Sequence, residues 1–259
     1  MLLSHADEDH IGGAVTLLLD ACFKIEEVLL NSDASKNSDV FKQLRYALVE
    51  ANVRNGTRID RRLATSTKLQ RKGLNIEVLH PPDSLALSGA GSKPKSGKKH
   101  TSNSLSAAIR ISGGPKCSIL LGGDIENDCL DGWKARKVQP KASVLIFPHH
   151  GGLPGTTDKS EIELFAFELT KIVSPEFVVF SNHRTKHGNP RDEVLSAILK
   201  AAPGIRFACT QLPERFLKQV GKNTAWSLHK SSGSKDTAEG TICLEFKRAG
   251  LRFSFGELP

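Results

Sequence analysis

The chain has 259 residues, 39% of them hydrophobic, enough to bury the core of one sizeable domain. No run of 18 apolar residues occurs in it, which excludes a membrane-spanning helix of ordinary length. Its 36 Lys and Arg outweigh 28 Asp and Glu to leave a net charge of +8, a balance that favours polyanionic partners.

In chain order, Val15, Leu18, Leu19 and Cys22 recur at helical spacing and predict a helix over 11–22. Residues 25–30 read as a strand, and Phe41, Leu44, Leu48 and Val53 mark an amphipathic helix over 39–53. A strand over 74–79 is stopped by Pro81-Pro82. Residues 105–111 and 117–121 flank Gly113-Gly114-Pro115 and read as a hairpin. A short helix over 128–135, a buried strand over 142–147, a helix over 161–170 and a strand over 177–181 follow. Residues 193–201 are read as helical and 205–210 as extended. A closing hairpin is expected from 242–246 and 251–255, turning around Ala249-Gly250.

Within that frame one segment stands out. Residues 4 to 10 read Ser-His-Ala-Asp-Glu-Asp-His before Ile-Gly-Gly, placing His5, Asp7, Asp9 and His10 in six positions. The acids would repel one another and pay for desolvation if the segment were buried, and a divalent cation between them removes both penalties. Apolar sequence on either side argues against simple exposure. Two later segments end apolar strands in ligand-type residues: Ser118-Ile-Leu-Leu-Gly-Gly-Asp124, and Val144-Leu-Ile-Phe-Pro-His149-His150-Gly-Gly.

The three segments, in this order and spacing, resemble the metal motifs of the metallo-β-lactamase fold. More narrowly they resemble the ComEC type, the hydrolase domain attached to DNA-uptake channels and its stand-alone relatives, which carry Asp where this chain has Asp7. The resemblance runs from residue 1 to about 212. It implies a mixed α/β fold, an αββα four-layer sandwich, with residues 213–259 as a C-terminal extension of the same domain. It also places every ligand at the end of a strand or in the loop beyond it.

The resemblance further implies two divalent metal ions, Zn or Mn. His5 and Asp7 would hold the first; Asp9, His10 and His150 would hold the second; Asp124 would bridge them. Asp9 would also orient the attacking hydroxide, and His149 would either support the ligands from behind or serve as proton donor to the leaving group. Carboxylate in place of imidazole at Asp7 hardens the first site and shifts it from Zn toward Mn or Mg.

Three departures from the family pattern accompany these matches. A histidine common in the superfamily is absent before the bridging aspartate, where Asn103 or Ser104 could ligate or hold a water. The nearby His80 reads as structural and His100 as solvated. In the stretch around Lys186-His187-Gly188-Asn189-Pro190-Arg191, Asn189 and Arg191 stand where relatives favour histidine. His183 and His187 are candidates to compensate, and Arg184, Lys186 and Arg191 to contact phosphate. Finally, the chain begins four residues before His5, so the first strands of the family's sheet are expected to be missing.

Charge and composition then narrow the chemistry. Residues 88–104 form a Gly/Ser/Lys tract carrying Lys93, Lys95, Lys98 and Lys99, expected to be a mobile basic loop suited to a phosphodiester polyanion. Cys22, Cys117, Cys129, Cys209 and Cys243 are odd in number, lack CxxC spacing and read as reduced core residues. Met1-Leu-Leu-Ser is too short for a secretory leader, and a cytoplasmic protein without membrane attachment is expected. In the tail, Lys222 to Trp226, a lone His229 and the stretch 231–236 read as linker-like surface.

The leading expectation is a metal-dependent hydrolase of phosphodiesters, a DNA or RNA nuclease. The alternatives are a hydrolase of a small ester, thioester or lactam, and a truncated binding protein without turnover. The oligomeric state is left open.

Overall fold

The computed structural model describes residues 1–93, 97, 99–114, 117–183, 185–211, 213–217, 242–247 and 250–255. The features expected at Lys95, Lys98, Arg184, Lys222, Trp226, His229 and 231–236 lie outside them. Contacts divide the chain into two compact units: Met1–Leu69 with Glu77–Ile109 and Gly123–Cys129, and Gln70–Ile76 with Arg110–Gly122 and Leu130–Pro259. Elements, in chain order, are α1 (Glu8–Leu19), β1 (Glu27–Leu29), α2 (Asp39–Asn55), β2 (Arg58–Asp60), β3 (Lys68–Arg71), β4 (Leu74–His80), α3 (Asp83–Ser88), β5 (Ala108–Gly114), β6 (Cys117–Leu121) and α4 (Asn127–Ala135). Then come β7 (Val144–Ile146), α5 (Lys159–Val173), β8 (Phe177–Phe180), α6 (Asp192–Ala201), β9 (Arg206–Cys209), α7 (Glu214–Leu217), β10 (Ile242–Lys247) and β11 (Gly250–Phe255).

The architecture is mixed α/β, with a large sheet and helices. Strands β3 to β9 hydrogen-bond in chain order in one seven-stranded sheet. Strands β6 to β9 are parallel, with Leu120 opposite Leu145, Leu145 opposite Val178 and Val178 opposite Phe207. Phe177-Val-Val-Phe180 is buried at every position, the continuous apolar run that a parallel strand covered on both faces requires. The expected closing hairpin is present as β10 and β11, antiparallel, with Cys243 opposite Ser254.

In the first unit β1 and β2 pair in parallel, and Leu2 adds a parallel bridge to Leu29. Helix α2 connects the two strands. Ser38 caps it by accepting the Phe41 amide, and Gly56 ends it in the left-handed region at φ 66°. Phe41, Leu44, Ala47, Leu48 and Ala51 face the core together with Ile11, Val15 and Leu18 of α1, Val28 of β1, and Leu3. Each large side chain in that cluster contributes roughly 1.5–3 kcal/mol by leaving water.

Helix α1 corrects two expectations. It spans residues 8 to 19 rather than 11 to 22, because Asp7 takes an extended conformation at the cap position and Glu8 and Asp9 suit the positive end of the helix dipole. Asp9 and His10 therefore lie in a helix's first turn, not in a loop after a strand. At the other end Asp20 is extended, and its Oδ1 accepts the Cys22 amide, so Cys22 is exposed in a turn and not a core residue. Cys117, Cys129 and Cys209 are buried free thiols, as expected. No helix among the described residues is long and apolar enough to cross a membrane.

Candidate metal centre

The centre is assembled in the first unit by three backbone ties. Leu3 donates to the Leu29 carbonyl, which fixes the segment entering Ser4-His5; the Ala107 amide donates to the Ser4 carbonyl at 2.9 Å; and the Asp124 amide donates to Ser106 Oγ at 2.8 Å. Gly123 makes the last approach feasible. Its φ is 55°, and a Cβ there would meet Ser106 Oγ at 2.5 Å and the Ala107 carbonyl at 3.1 Å. Only glycine fits both that conformation and that space.

His5 is buried at 5% exposure and Asp124 at 8%. The Nδ1 of His5 is 3.1 Å from Ser4 Oγ and 3.2 Å from Ser106 Oγ, and the Nδ1 of His10 is 3.5 Å from Ser4 Oγ. With Nδ1 of His5 donating to serine oxygen, the lone pair sits on Nε2. That atom is buried without a hydrogen bond among the described residues and faces Asp124 Oδ2 at 3.7 Å. His10 Nε2 faces the other oxygen, Oδ1, at 3.4 Å. The two rings lie 4.2 Å apart at 48°.

These separations exceed hydrogen-bond length yet match a shared cation: donors about 2.1 Å from a tetrahedral ion stand about 3.4 Å from one another. His5, His10 and Asp124 offer one ligand atom each, all within 4.8 Å of one another. Burial first, then the neighbouring His10, lower the His5 pKa to about 4 against the pull of Asp124 and Asp7. The ring is therefore neutral at ordinary pH, the state a metal ligand needs. The donor set and the buried Nε2 fit a divalent ion.

Asp7 and Asp9 border this cluster. Asp7 Oδ2 is 4.0 Å from His5 Nε2, and Asp9 Oδ2 is 3.8 Å from His10 Nε2. Asp7 also has a partner that pattern reading missed: Lys36 Nζ stands 2.6 Å from its Oδ1. Ser4 and Ser106, which orient His5, were missed as well. Ser4 at least adjoins the motif, whereas nothing local distinguishes Ser106 or Lys36 from any other hydroxyl or lysine.

His149 and His150 belong to the second unit, in a 3-10 turn over Pro148–Gly151 that follows β7. Both have left-handed backbones, at φ 51° and 55°, a conformation that costs a non-glycine residue roughly 1–2 kcal/mol. The turn is held by its neighbours. His150 Nδ1 donates to the Ser181 carbonyl, Asn189 Nδ2 donates to the His149 carbonyl, and Arg191 N donates to the Gly151 carbonyl. A Cβ on Gly151 would meet Pro190 Cβ at 2.6 Å and Phe180 Cδ1 at 2.8 Å, which explains the glycine after the histidines.

The departures also find places. Ser104 is engaged with Thr101, and its carbonyl accepts from His80 Nε2 at 2.9 Å, so His80 is a structural residue of the loop. Asn103 Nδ2 reaches Glu126 at 3.4 Å, and its Oδ1 is buried without a hydrogen bond among the described residues. His100 is half-buried rather than solvated, because its backbone pairs with Gly91 and Ser92 and closes the base of the Lys-rich loop. His183 and His187 are exposed, and His183 Nδ1 accepts the Thr185 and Lys186 amides.

No family model matches this chain, and no curated protein does. Among solved structures it is similar to the crystal structure of the metallo-beta-lactamase fold protein YhfI from Bacillus subtilis. The two share 14% identity over 80% of this chain and 72% of that one, with a TM-score of 0.44.

Proposed function

We propose that this chain is a metal-dependent hydrolase of the metallo-β-lactamase fold, ComEC type, and that its substrates are phosphodiesters, DNA or RNA. The observation that carries the reading is the convergence of His5 Nε2, His10 Nε2 and the Asp124 carboxylate, with both imidazoles turned by hydroxyl groups behind them. The order and spacing of the three motifs support it, and the net charge of +8 favours a polyanion.

In this reading His5, His10 and Asp124 hold a divalent ion, Zn or Mn, and Asp7 and Asp9 supply the further carboxylates of a two-ion centre. Such ions lower the pKa of water toward neutrality and neutralise charge that builds on phosphoryl oxygens. The chain's own groups do the positioning. Ser4 and Ser106 fix the His5 ring, and the Ser106 hydroxyl simultaneously fixes the Asp124 backbone. Asp9, with its side chain 60% exposed, accepts the proton of the attacking water and orients it. In the second unit the Ser181 bond directs the His150 lone pair to Nε2, the nitrogen that a metal ligand offers.

The test is turnover by stripped protein reloaded separately with Mn and Zn. The substrates are single-stranded DNA, RNA, bis-p-nitrophenyl phosphate and a chromogenic lactam. Metal-dependent cleavage of the phosphodiesters, lowered about 100-fold or more in Asp124→Asn and Asp9→Asn, is expected. Cleavage of the lactam alone would move the assignment to small-molecule hydrolysis. No cleavage by folded, metal-loaded protein would end the hydrolase reading.

A further inference from the structure

A groove of about 580 Å³ opens in the first unit beside α2, within the size range of small-ligand sites. Its floor is apolar. Core residues Phe41, Leu44 and Leu48 of α2, each less than 9% exposed, close its bottom, and Val49, 59% exposed, and half-buried Ile59 supply the apolar surface open to a ligand. Its rim is basic: Lys36, Arg45 and Arg61 line it against a single carboxylate, Asp33. That carboxylate is already committed, accepting from the Ser102 and Ser35 hydroxyls and from the Ser35 and Lys36 amides. Lys36 is paired with Asp7 and Asp33 keeps its charge, whereas Arg45 and Arg61 make no ion pair among the described residues, so the groove presents two available guanidinium groups beside an apolar surface.

Its place in the fold is also informative. Residues 30–36 follow the carboxyl end of β1, and Arg61 follows the carboxyl end of β2. These strands are parallel, and ligands of open α/β sheets bind beyond the carboxyl ends of parallel strands. One residue joins the groove to the metal cluster: Lys36 lines the groove and its ammonium stands 2.6 Å from Asp7.

We infer that this groove is a nucleotide subsite, where one nucleotide of a strand flanking the scissile bond rests its base on the apolar lining at Val49 and Ile59 and its phosphate on Arg45 and Arg61. The subsite deepens the phosphodiester reading and rests on it. A small ester or lactam would have no use for two unpaired guanidinium groups beside an apolar floor, whereas a nucleotide matches both features. Arginine at two of the three rim positions suits the bidentate geometry of a phosphate.

The test measures binding without turnover, so that it stands apart from hydrolysis. A fluorescein-labelled tetranucleotide is titrated by anisotropy, with EDTA present, against wild type and the double variant Arg45→Glu/Arg61→Glu. The control is Lys24→Glu/Lys68→Glu, an equal charge change at exposed positions outside the groove. Binding about tenfold or more weaker in the groove variant, and within about twofold of wild type in the control, is expected. Equal weakening in both variants, no change in the groove variant, or no binding by wild type would overturn the subsite. A competition on wild type needs no variant. AMP is expected to displace the probe at lower concentration than inorganic phosphate; equal potency would mean that the floor recognises no base. Failure of bis-p-nitrophenyl phosphate cleavage alongside intact groove binding would count against the hydrolase reading and leave the subsite standing.

Discussion

Lys36 Nζ stands 2.6 Å from Asp7 Oδ1, so an ammonium from the loop after β1 already neutralises the carboxylate that the first motif offers to a cation. Both side chains are about 30% exposed, and a half-solvated pair of this kind is worth about 1 kcal/mol or less. That is small beside the gain from metal coordination but large enough to tune it. Lys36→Met is expected to bind Mn or Zn about three- to tenfold more tightly at the weaker site, read by titrating stripped protein against a competing chelator dye. An unchanged or weaker affinity would show that Asp7 takes no part in metal binding.

Ser106 serves two ligands at once, taking the Asp124 amide at 2.8 Å and lying 3.2 Å from His5 Nδ1. Ser106→Ala leaves a buried amide without its acceptor, which costs about 1–3 kcal/mol of stability. It also frees the His5 ring to turn, and loss of such an orienting group lowers metal affinity about 10- to 100-fold. Urea denaturation and metal titration of the same preparation check both effects. A variant that loses stability but binds metal like wild type would confine Ser106 to the fold.

Two glycines of the first unit should respond oppositely to alanine. At Gly123 the backbone is left-handed and a Cβ would stand 2.5 Å from Ser106 Oγ, so Gly123→Ala should lose about 2 kcal/mol or more. At Gly13, within α1, a Cβ would meet nothing within 4 Å, and Gly13→Ala should gain up to about 1 kcal/mol from helix propensity. Chemical denaturation midpoints of the two variants test the contrast. Equal effects at both positions would contradict it.

Asp33 sets an acid-side dependence. Burial by itself would raise its carboxyl pKa, but hydrogen bonds from Ser102 and Ser35 and from the Ser35 and Lys36 amides outweigh burial and hold it below the ordinary value. Its folded pKa is thus depressed. The stability it contributes is fully present above the unfolded value near 4 and is lost as pH falls through the lower folded value. Asp33→Asn should be less stable at neutral pH by about 1–2 kcal/mol and should lose less stability on acidification than wild type. Parallel stability curves for the two proteins from neutral to acidic pH would rule this out.

The cluster was legible in the sequence because ligand chemistry is local there. His5, Asp7, Asp9 and His10 fall in one short segment, and Gly122-Gly123-Asp124 ends an apolar strand in a turn that only glycine can make. The second unit was legible for a related reason: uninterrupted apolar strands such as Phe177–Phe180 and amphipathic helices such as α5 and α6 show their pattern openly. What escaped was short, polar or nonlocal. Strand β2 is three residues, two of them charged, and β3 is four residues with only one half-buried, so neither shows an apolar pattern. The start of α1 was hidden because acids that suit a cation also suit a helix's first turn. Lys36 and Ser106 are separated from their partners by 29 and by 101 residues, and only the fold brings them together.

The most direct test is elemental analysis of desalted protein after loading with Zn or Mn, carried out on wild type, His5→Ala and Asp124→Asn. Wild type should retain at least one stoichiometric ion, and both variants should lose it while keeping a cooperative unfolding transition. Wild-type protein that is folded yet holds no stoichiometric ion under any loading condition would contradict the assignment of His5, His10 and Asp124 to a metal centre.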